Sequence, residues 1–351
     1  MRLPVAITAR VATGGGPGHW TVSWGDGAAD TARLDSSSAL VTVTHRYAKR
    51  GAYTVRVGVV GDSGHTASDT LMALVAAAGT PQVFVGAGDI AQCNRPDAAA
   101  TARILDAIPG TVFALGDNAY PDGSAHDYAT CYATTWGRHK KRTHPVPGNH
   151  DYTSGGAPGY FGYFGVAAGN PARGYYGYDL GAWHLAALNA NIDMRPGSPQ
   201  EQWLRADLAA HPARCTLAYW HTPRFSSGTT HGSDATSQPL WQALYDAGAD
   251  VVLAGHEHNY ERFAPQTPDG TLDPARGIRE FVVGTGGGTA YPFGRPIANS
   301  EVRSMDHGVL KLTLGAGDYR WEFIAIPGDS IFSDTGTAQC HGARKIEPPR
   351  Q

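Results

Sequence analysis

Two histidines, His256 and His258, stand one residue apart just after a four-residue apolar run, Val251 to Ala254. The run reads as a short buried strand, with Gly255 as the turn leaving it. Imidazoles at i and i+2 of an extended segment point to opposite faces, which suits two neighbouring metal ions better than one chelated ion. Taken alone, the same residues would also serve as a polar loop capping carbonyls. Other strand ends carry similar donors: Asp89 after Val83–Val85, Asp117 and Tyr120 after Val112–Leu115, Asn149 and His150 within Pro145–Asp151, and His221 after Thr216–Trp220. Oxygen and imidazole donors without thiolate suit manganese, iron or zinc and disfavour a cysteine-based structural site.

The elements that must position these residues have a legible grammar. Val83–Val85, the helical spacing of Ile104, Leu105 and Ile108, and Val112–Leu115 form a strand–helix–strand unit, whose ligands gather at the carboxyl ends of the strands. Ser198-Pro199-Gln200-Glu201 is a capping box opening a helix through Ala210, and Pro239 to Ala247 reads as another helix. Residues 155–178, rich in Gly and Tyr, read as an irregular loop bordering the site. Residues 3–76 instead alternate apolar and polar, as in Trp20–Trp24 and Tyr53–Val59, and predict a small β-sandwich. Gly79 and Pro81 mark the boundary. The expected organisation is an α+β chain with a β-sandwich at 1–78, a large domain at 79–328 and a loose C-terminal tail at 329–351.

Trp20-x-x-x-Trp24-Gly-Asp-Gly, Thr44-His45-Arg46-Tyr47 and Gly51-Ala-Tyr53-Thr-Val55 resemble the PKD-type, immunoglobulin-like domain. That likeness carries no catalytic implication, and Asp26 and His45 read as turn and strand-edge residues. Gly88-Asp89, Gly116-Asp117-Asn-Ala-Tyr120, Gly148-Asn149-His150-Asp151, Tyr219-Trp-His221 and Gly255-His256-Glu-His258-Asn-Tyr-Glu-Arg262 are similar to the five motifs of the calcineurin-like metallophosphoesterases. Tyr120 and the Tyr-Glu-Arg ending resemble the purple acid phosphatase branch. The resemblance implies a four-layer α/β/β/α domain with two mixed sheets. It places Asp89, Tyr120 and His258 on a first metal, Asn149, His221 and His256 on a second, and Asp117 on both. It puts His150 and His231 on the substrate side, with Asp151 supporting the ligands from behind. The sequence departs from the family's usual Asp-x-Gly at Asp89-Ile90-Ala91, which predicts a different backbone after that ligand.

A phenol such as Tyr120 ligates at neutral pH only where a strong Lewis acid displaces its proton, which favours iron(III), with zinc, manganese or iron(II) as its partner. Such a pair would grip a phosphate ester and supply a metal-bound hydroxide as nucleophile, with His150 and His231 at the leaving group. The expected activity is hydrolysis of phosphomonoesters. A phosphodiesterase or nucleotidase on the same site is the alternative within that class, and a glycan-binding or adhesion protein with a structural metal is the alternative outside it. Two histidines with no metal to hold, His150 and His231, weigh against a purely structural centre.

A net charge of -3 gives no electrostatic case for nucleic acid or anionic membrane. No stretch approaches the roughly 20 apolar residues of a membrane span, and Met1 to Arg10 lacks the pattern of an export signal. The PKD-type unit nevertheless predicts a secreted, periplasmic or cell-surface protein, with extracellular polysaccharide or protein as possible partners of that unit. Four cysteines permit up to two disulfides, with Cys93–Cys131 the favoured pair because both follow site loops. Gly-x-Ser-x-Gly is absent, and Gly284-Thr-Gly-Gly-Gly288 lacks the Lys-Ser/Thr of a phosphate loop and reads as a turn. His184, His211 and the remaining histidines have no partner at ligand spacing and read as structural or exposed.

Overall fold

The alternation of the first 75 residues becomes six strands: β1 (Val5–Ala12), β2 (Gly18–Ser23), β3 (Ala29–Leu34), β4 (Ser38–His45), β5 (Gly51–Gly61) and β6 (Thr66–Val75). The computed structural model describes residues 5–13, 16–47, 51–75, 79–328 and 332–342. It divides the chain into two compact units, Met1–Thr80 and Pro81–Gln351. In the first, β1 pairs with β4, and β3-β2-β5-β6 form an antiparallel sheet. Trp20, Val22, Val55, Val57 and Val59 point inward while their neighbours face solvent. Buried Trp24 stacks on His45, Tyr47 donates its hydroxyl to the Trp24 carbonyl at 2.8 Å, and His45 pairs with Asp26 at 2.8 Å. Asp26 and His45 thus fasten a turn to a strand.

The second unit adds β7 (Gln82–Ala87), α1 (Asp97–Asp106), β8 (Thr111–Leu115), α2 (Ala125–Asp127), β9 (Thr143–Val146), α3 (Pro158–Phe164), β10 (Tyr176–Leu180) and β11 (Trp183–Ala187). It continues with α4 (Pro199–Ala210), β12 (Cys215–Tyr219), α5 (Gln238–Ala247), β13 (Val251–Ala254), β14 (Tyr260–Phe263) and β15 (Arg279–Val283). β16 (Ser300–Ser304), β17 (Gly308–Leu314), β18 (Asp318–Ala325) and β19 (Ser333–Gln339) complete it. Two mixed sheets result, ordered β10-β11-β12-β13-β15-β14-β16 and β19-β18-β17-β7-β8-β9. Within them β7, β8 and β9 run parallel, as do β11, β12, β13 and β15.

Alternate residues of each central strand serve two cores. Leu185, Leu217, Leu253 and Phe281 face the other sheet, where they meet Phe84, Phe113 and Leu310. Ala186, Ala218, Val252 and Val282 face α4 and α5, which contribute Leu204, Leu208, Trp241 and Leu244. Strands covered on both faces read as continuous apolar runs, which is why Thr216–Trp220 and Val251–Ala254 show no alternation. α1 covers the outer face of the six-stranded sheet with Ala98, Ala102 and Leu105, completing the four layers.

Three local readings change. Residues 158–164, expected in a loop, form α3, since Tyr160, Phe161 and Phe164 are buried and Gly159 lies against the Gly123 carbonyl, where a Cβ would sit 2.0 Å away. Glycines lower helix propensity, so aromatic packing decides that segment. In the α4 cap, Ser198 accepts the Glu201 amide, but the Glu201 carboxylate takes the Gly197 amide rather than that of Ser198. The tail expectation fails for 333–340: β19 pairs with β18, Asp334 accepts the Tyr260 hydroxyl at 2.7 Å, and Cys340 is disulfide-bonded to Cys215. Its sequence, Ser-Asp-Thr-Gly-Thr-Ala-Gln, has no apolar period because a backbone ladder, one carboxylate and a disulfide hold it. Residues 329–331 and 343–351 of that tail lie outside the described residues. The favoured pair Cys93–Cys131 is also bonded. No helix among the described residues is long and apolar enough to cross a membrane.

Candidate metal centre

The donors sit where the strands end. Asp89 lies two residues past β7, Asp117 two past β8, Asn149 three past β9, His221 two past β12 and His256 two past β13, while His258 lies two before β14. Asp89, Asp117 and His256 have φ of 58°, 47° and 69°. Three non-glycine ligand candidates in the left-handed region are local strain that the surrounding packing must hold. The loops after β7 and β8 extend the parallel pairing: Asp89, Ile90 and Ala91 donate their amides to the carbonyls of Gly116, Asp117 and Asn118, and Tyr120 donates back to Ala91. The departure at Ile90-Ala91 is absorbed by this ladder, which sets Asp89 beside Asp117 and Tyr120.

Two groups of donors meet. Tyr120 Oη lies 3.2 Å from Asp89 Oδ1 and 3.0 Å from His258 Nε2, which is itself 3.2 Å from Asp89 Oδ1. His221 Nε2 lies 3.1 Å from Asn149 Oδ1 and 3.2 Å from His256 Nδ1. Asp117 Oδ2 stands between them, 3.4 Å from Tyr120 Oη and 3.3 Å from His221 Nε2.

Four of the donors are aimed by a partner behind them. His221 and His258 donate Nδ1–H to the carbonyls of Leu115 and Thr289, both at 2.7 Å, leaving Nε2 inward. Asp89 Oδ2 accepts the His256 amide at 2.7 Å and Asp117 Oδ1 the His150 amide at 2.8 Å, so each carboxylate turns its other oxygen inward. Such backing fixes the orientation and basicity of metal ligands. Gly148 makes this possible, since a Cβ there would stand 2.0 Å from Asp117 Oδ1.

The electrostatics follow from burial. Asp89 is fully buried and Asp117 nearly so. Burial works against ionising either, yet His258 and His221 hold Asp89, and His221 holds Asp117, below the usual carboxylate range. Burial likewise opposes a charge on His221, but Asp117 and then Asp89 raise it to about 9. Burial, with His221 and His231 nearby, pushes His256 down to about 3. Burial, Asp89 and Asp117 raise the Tyr120 phenol well above 10. A phenol within 3.4 Å of two buried carboxylates, with imidazoles packed beside them, is costly without compensating cations. The residues therefore fit metal ions of the oxygen- and imidazole-binding class.

His150 and His231 flank the centre. His150 is partly exposed, its Nδ1–H bonded to the Pro121 carbonyl and its Nε2 3.9 Å from Asp117 Oδ2. His231 stacks on His256 at 3.9 Å, and burial lowers its pKa. Asp151 faces away from the donors. It accepts the Tyr128 hydroxyl at 2.7 Å, the Gly148 amide at 2.9 Å and the Asn118 side chain at 3.0 Å, and burial followed by Asp117 raises it to about 6.

Sequence reasoning missed two neighbours. Tyr291 stacks flat on His258, with centroids 3.9 Å apart, and Glu257 holds the loop carrying His231. Glu257 sits inside the Gly-His-x-His motif, but nothing in its spacing signals that role. The Gly-rich stretch after β15 is a turn, as expected, with the amides of Gly286 and Gly288 bound to the carbonyls of Gly88 and Asp89.

A four-layer fold with paired donor groups at the strand ends defines a metallophosphoesterase-type domain. Residues 55–260 match the calcineurin-like phosphoesterase family, and the chain belongs to that family. Residues 1–75 match the PKD domain. Purple acid phosphatase 15 of Arabidopsis thaliana is 29% identical over 67% of this chain and 46% of its own length. Purple acid phosphatase 23 of the same plant is 27% identical over 68% of this chain and 54% of its own. The chain thus spans about half the length of these relatives. Among solved structures, the purple acid phosphatase PPD1 of yellow lupin (Lupinus luteus) superposes with a TM-score of 0.68 at 18% identity, covering 96% of this chain and 74% of that one. PhoD superposes with a TM-score of 0.55 at 14% identity, covering all of this chain and 91% of its own. Both likenesses concern the fold.

Proposed function

We propose that this chain hydrolyses phosphate monoesters at a dinuclear metal centre. Asp89, Tyr120 and His258 would hold one ion, Asn149, His221 and His256 the other, and Asp117 would serve both. The observation that carries the reading is the position of Asp117 Oδ2 between the two donor groups, 3.4 Å from Tyr120 and 3.3 Å from His221. Iron(III) with zinc, manganese or iron(II) suits the donors, because Tyr120 must surrender a proton that its surroundings otherwise retain.

When bound, such ions neutralise phosphoryl charge and acidify coordinated water. The protein's own contribution is placement. Asp117 sets the spacing between the donor groups, and the Leu115 and Thr289 carbonyls keep His221 and His258 in register. His150, with Nδ1–H tied to the Pro121 carbonyl, turns Nε2 toward the centre and is placed to steady an ester oxygen. His231, beside His256, is placed to supply a proton to the leaving alkoxide. Asp151 supports the loop that carries Asn149 and His150. The two disulfides suit an oxidising compartment, and hence export from the cytosol, with polysaccharide or protein contacts falling to the PKD-type unit.

The test is elemental analysis of the loaded chain combined with p-nitrophenyl phosphate and bis-p-nitrophenyl phosphate as substrates. Two ions per chain with monoester turnover exceeding diester turnover is the expected result. A diester preference would move the reading to a phosphodiesterase. A loaded chain inert to every ester tried, yet binding polysaccharide, would overturn it.

A further inference from the structure

His184, Asp207 and His211 read from the sequence as unrelated, yet their ligand atoms lie within 4.8 Å of one another. We propose that these three residues bind a divalent ion of the zinc or copper class, at a third metal site separate from the dinuclear centre. His184 lies on β11, opposite Asp179 of β10, on the face that packs against α4, while Asp207 and His211 stand one turn apart at the end of α4. His184 Nδ1 meets Asp179 Oδ1 at 2.8 Å and its Nε2 meets Asp207 Oδ2 at 2.8 Å. A carboxylate behind one ring nitrogen with the other aimed at a ligand is the arrangement that orients metal-binding imidazoles. His211 Nδ1 donates to the Asp207 main-chain carbonyl at 2.9 Å and lies 3.3 Å from Asp207 Oδ1, and its ring stacks on His184 at 4.8 Å and 11°.

The surroundings are built for this. Gly177 leaves room for Asp207, since a Cβ there would stand 2.5 Å from Oδ2. His184 is buried, while the His211 and Asp179 side chains are 49% and 59% exposed, giving an ion entry and a water a fourth position. The two carboxylates balance a divalent charge. His184 pairs across the sheet with Thr216, five residues before His221 on the β12 path, so roughly 16 Å of strand separates it from the dinuclear centre. The competitor for the site is a proton. Burial opposes charge on His184, but Asp179 and Asp207 raise it to about 9, and an ion would displace that proton.

The test uses the full chain saturated with zinc and freed of loose metal by gel filtration. Three ions per chain are expected in the wild type, and two in both Asp207→Asn and His211→Gln. Nitrogen-15 NMR of the His184 ring should show Nε2 moving from the protonated to the metal-bound range on adding zinc, and no such move in His211→Gln. His211 is half exposed at a helix end, so that variant keeps the fold if Asp207→Asn does not. Two ions in the wild type with His184 still an imidazolium would overturn the proposal, as would three ions in both wild type and His211→Gln.

Discussion

The carboxylate of Glu257 accepts the backbone amide of His231 at 2.6 Å and that of Gly232 at 2.5 Å, so the residue between the two motif histidines anchors a third. Gly228 packs against the same carboxylate, where a Cβ would stand 2.3 Å from its Cδ. Glu257→Gln keeps an oxygen for both amides and should retain metal and most turnover. Glu257→Ala frees the loop and should lower turnover about 10–100-fold with both ions kept, as for other groups that orient a metal site. Metal analysis beside steady-state kinetics checks this; loss of metal in Glu257→Ala would assign the residue to the ligands instead.

Tyr120→Phe removes a phenol that contacts Asp89, Asp117 and His258. Iron-loaded protein should show a visible phenolate-to-metal absorption band that this variant abolishes. Colourless, fully active protein containing only zinc or manganese would refute the iron assignment and leave the hydrolase reading standing.

Metal uptake should release protons. Metal-free His221 stays protonated up to about 9 and His258 is raised above 6.5, in each case because nearby carboxylates outweigh burial. Ligand imidazoles must be neutral, so apparent metal affinity should rise with pH through the neutral range and level off near 9. The metal-free fold responds with the opposite sign. A pKa raised on folding contributes stability that is fully present below 6.5 and is lost as pH climbs through about 9. Titration calorimetry in buffers of different ionisation enthalpy reads the proton count, and affinity independent of pH from 6 to 9 would contradict it.

Cys215–Cys340 joins β12 to the end of β19 across 125 residues. Replacing both cysteines with serine should lower stability by about 2–5 kcal/mol, since the link restricts the unfolded chain. Thermal melts of the variant check this, and metal content should be unchanged because no ligand lies on β19.

The cluster of candidate metal ligands was largely legible because its grammar is local. A donor two or three residues beyond a buried apolar run needs only the run and the turn to be recognised, and Asp89, Asp117, Asn149, His221, His256 and His258 all follow or precede strands in that way. The alternation of Trp20–Trp24 and Tyr53–Val59 was equally local, since a sheet with one wet face writes its period into the chain.

What the chain by itself determined, then, was the kind of donor, its place at strand ends and the class of the two units. Only tertiary structure decided that residues 333–339 are a strand, that residues 158–164 are a helix, that Glu257 serves His231, and that His184 meets His211. Each of these depends on partners far away in sequence: a neighbouring strand's backbone, an aromatic core, a loop amide, a helix end. Such pairings leave no period in the residues themselves, because hydrogen-bonding backbone is common to every residue and proximity across a fold is not encoded at short range.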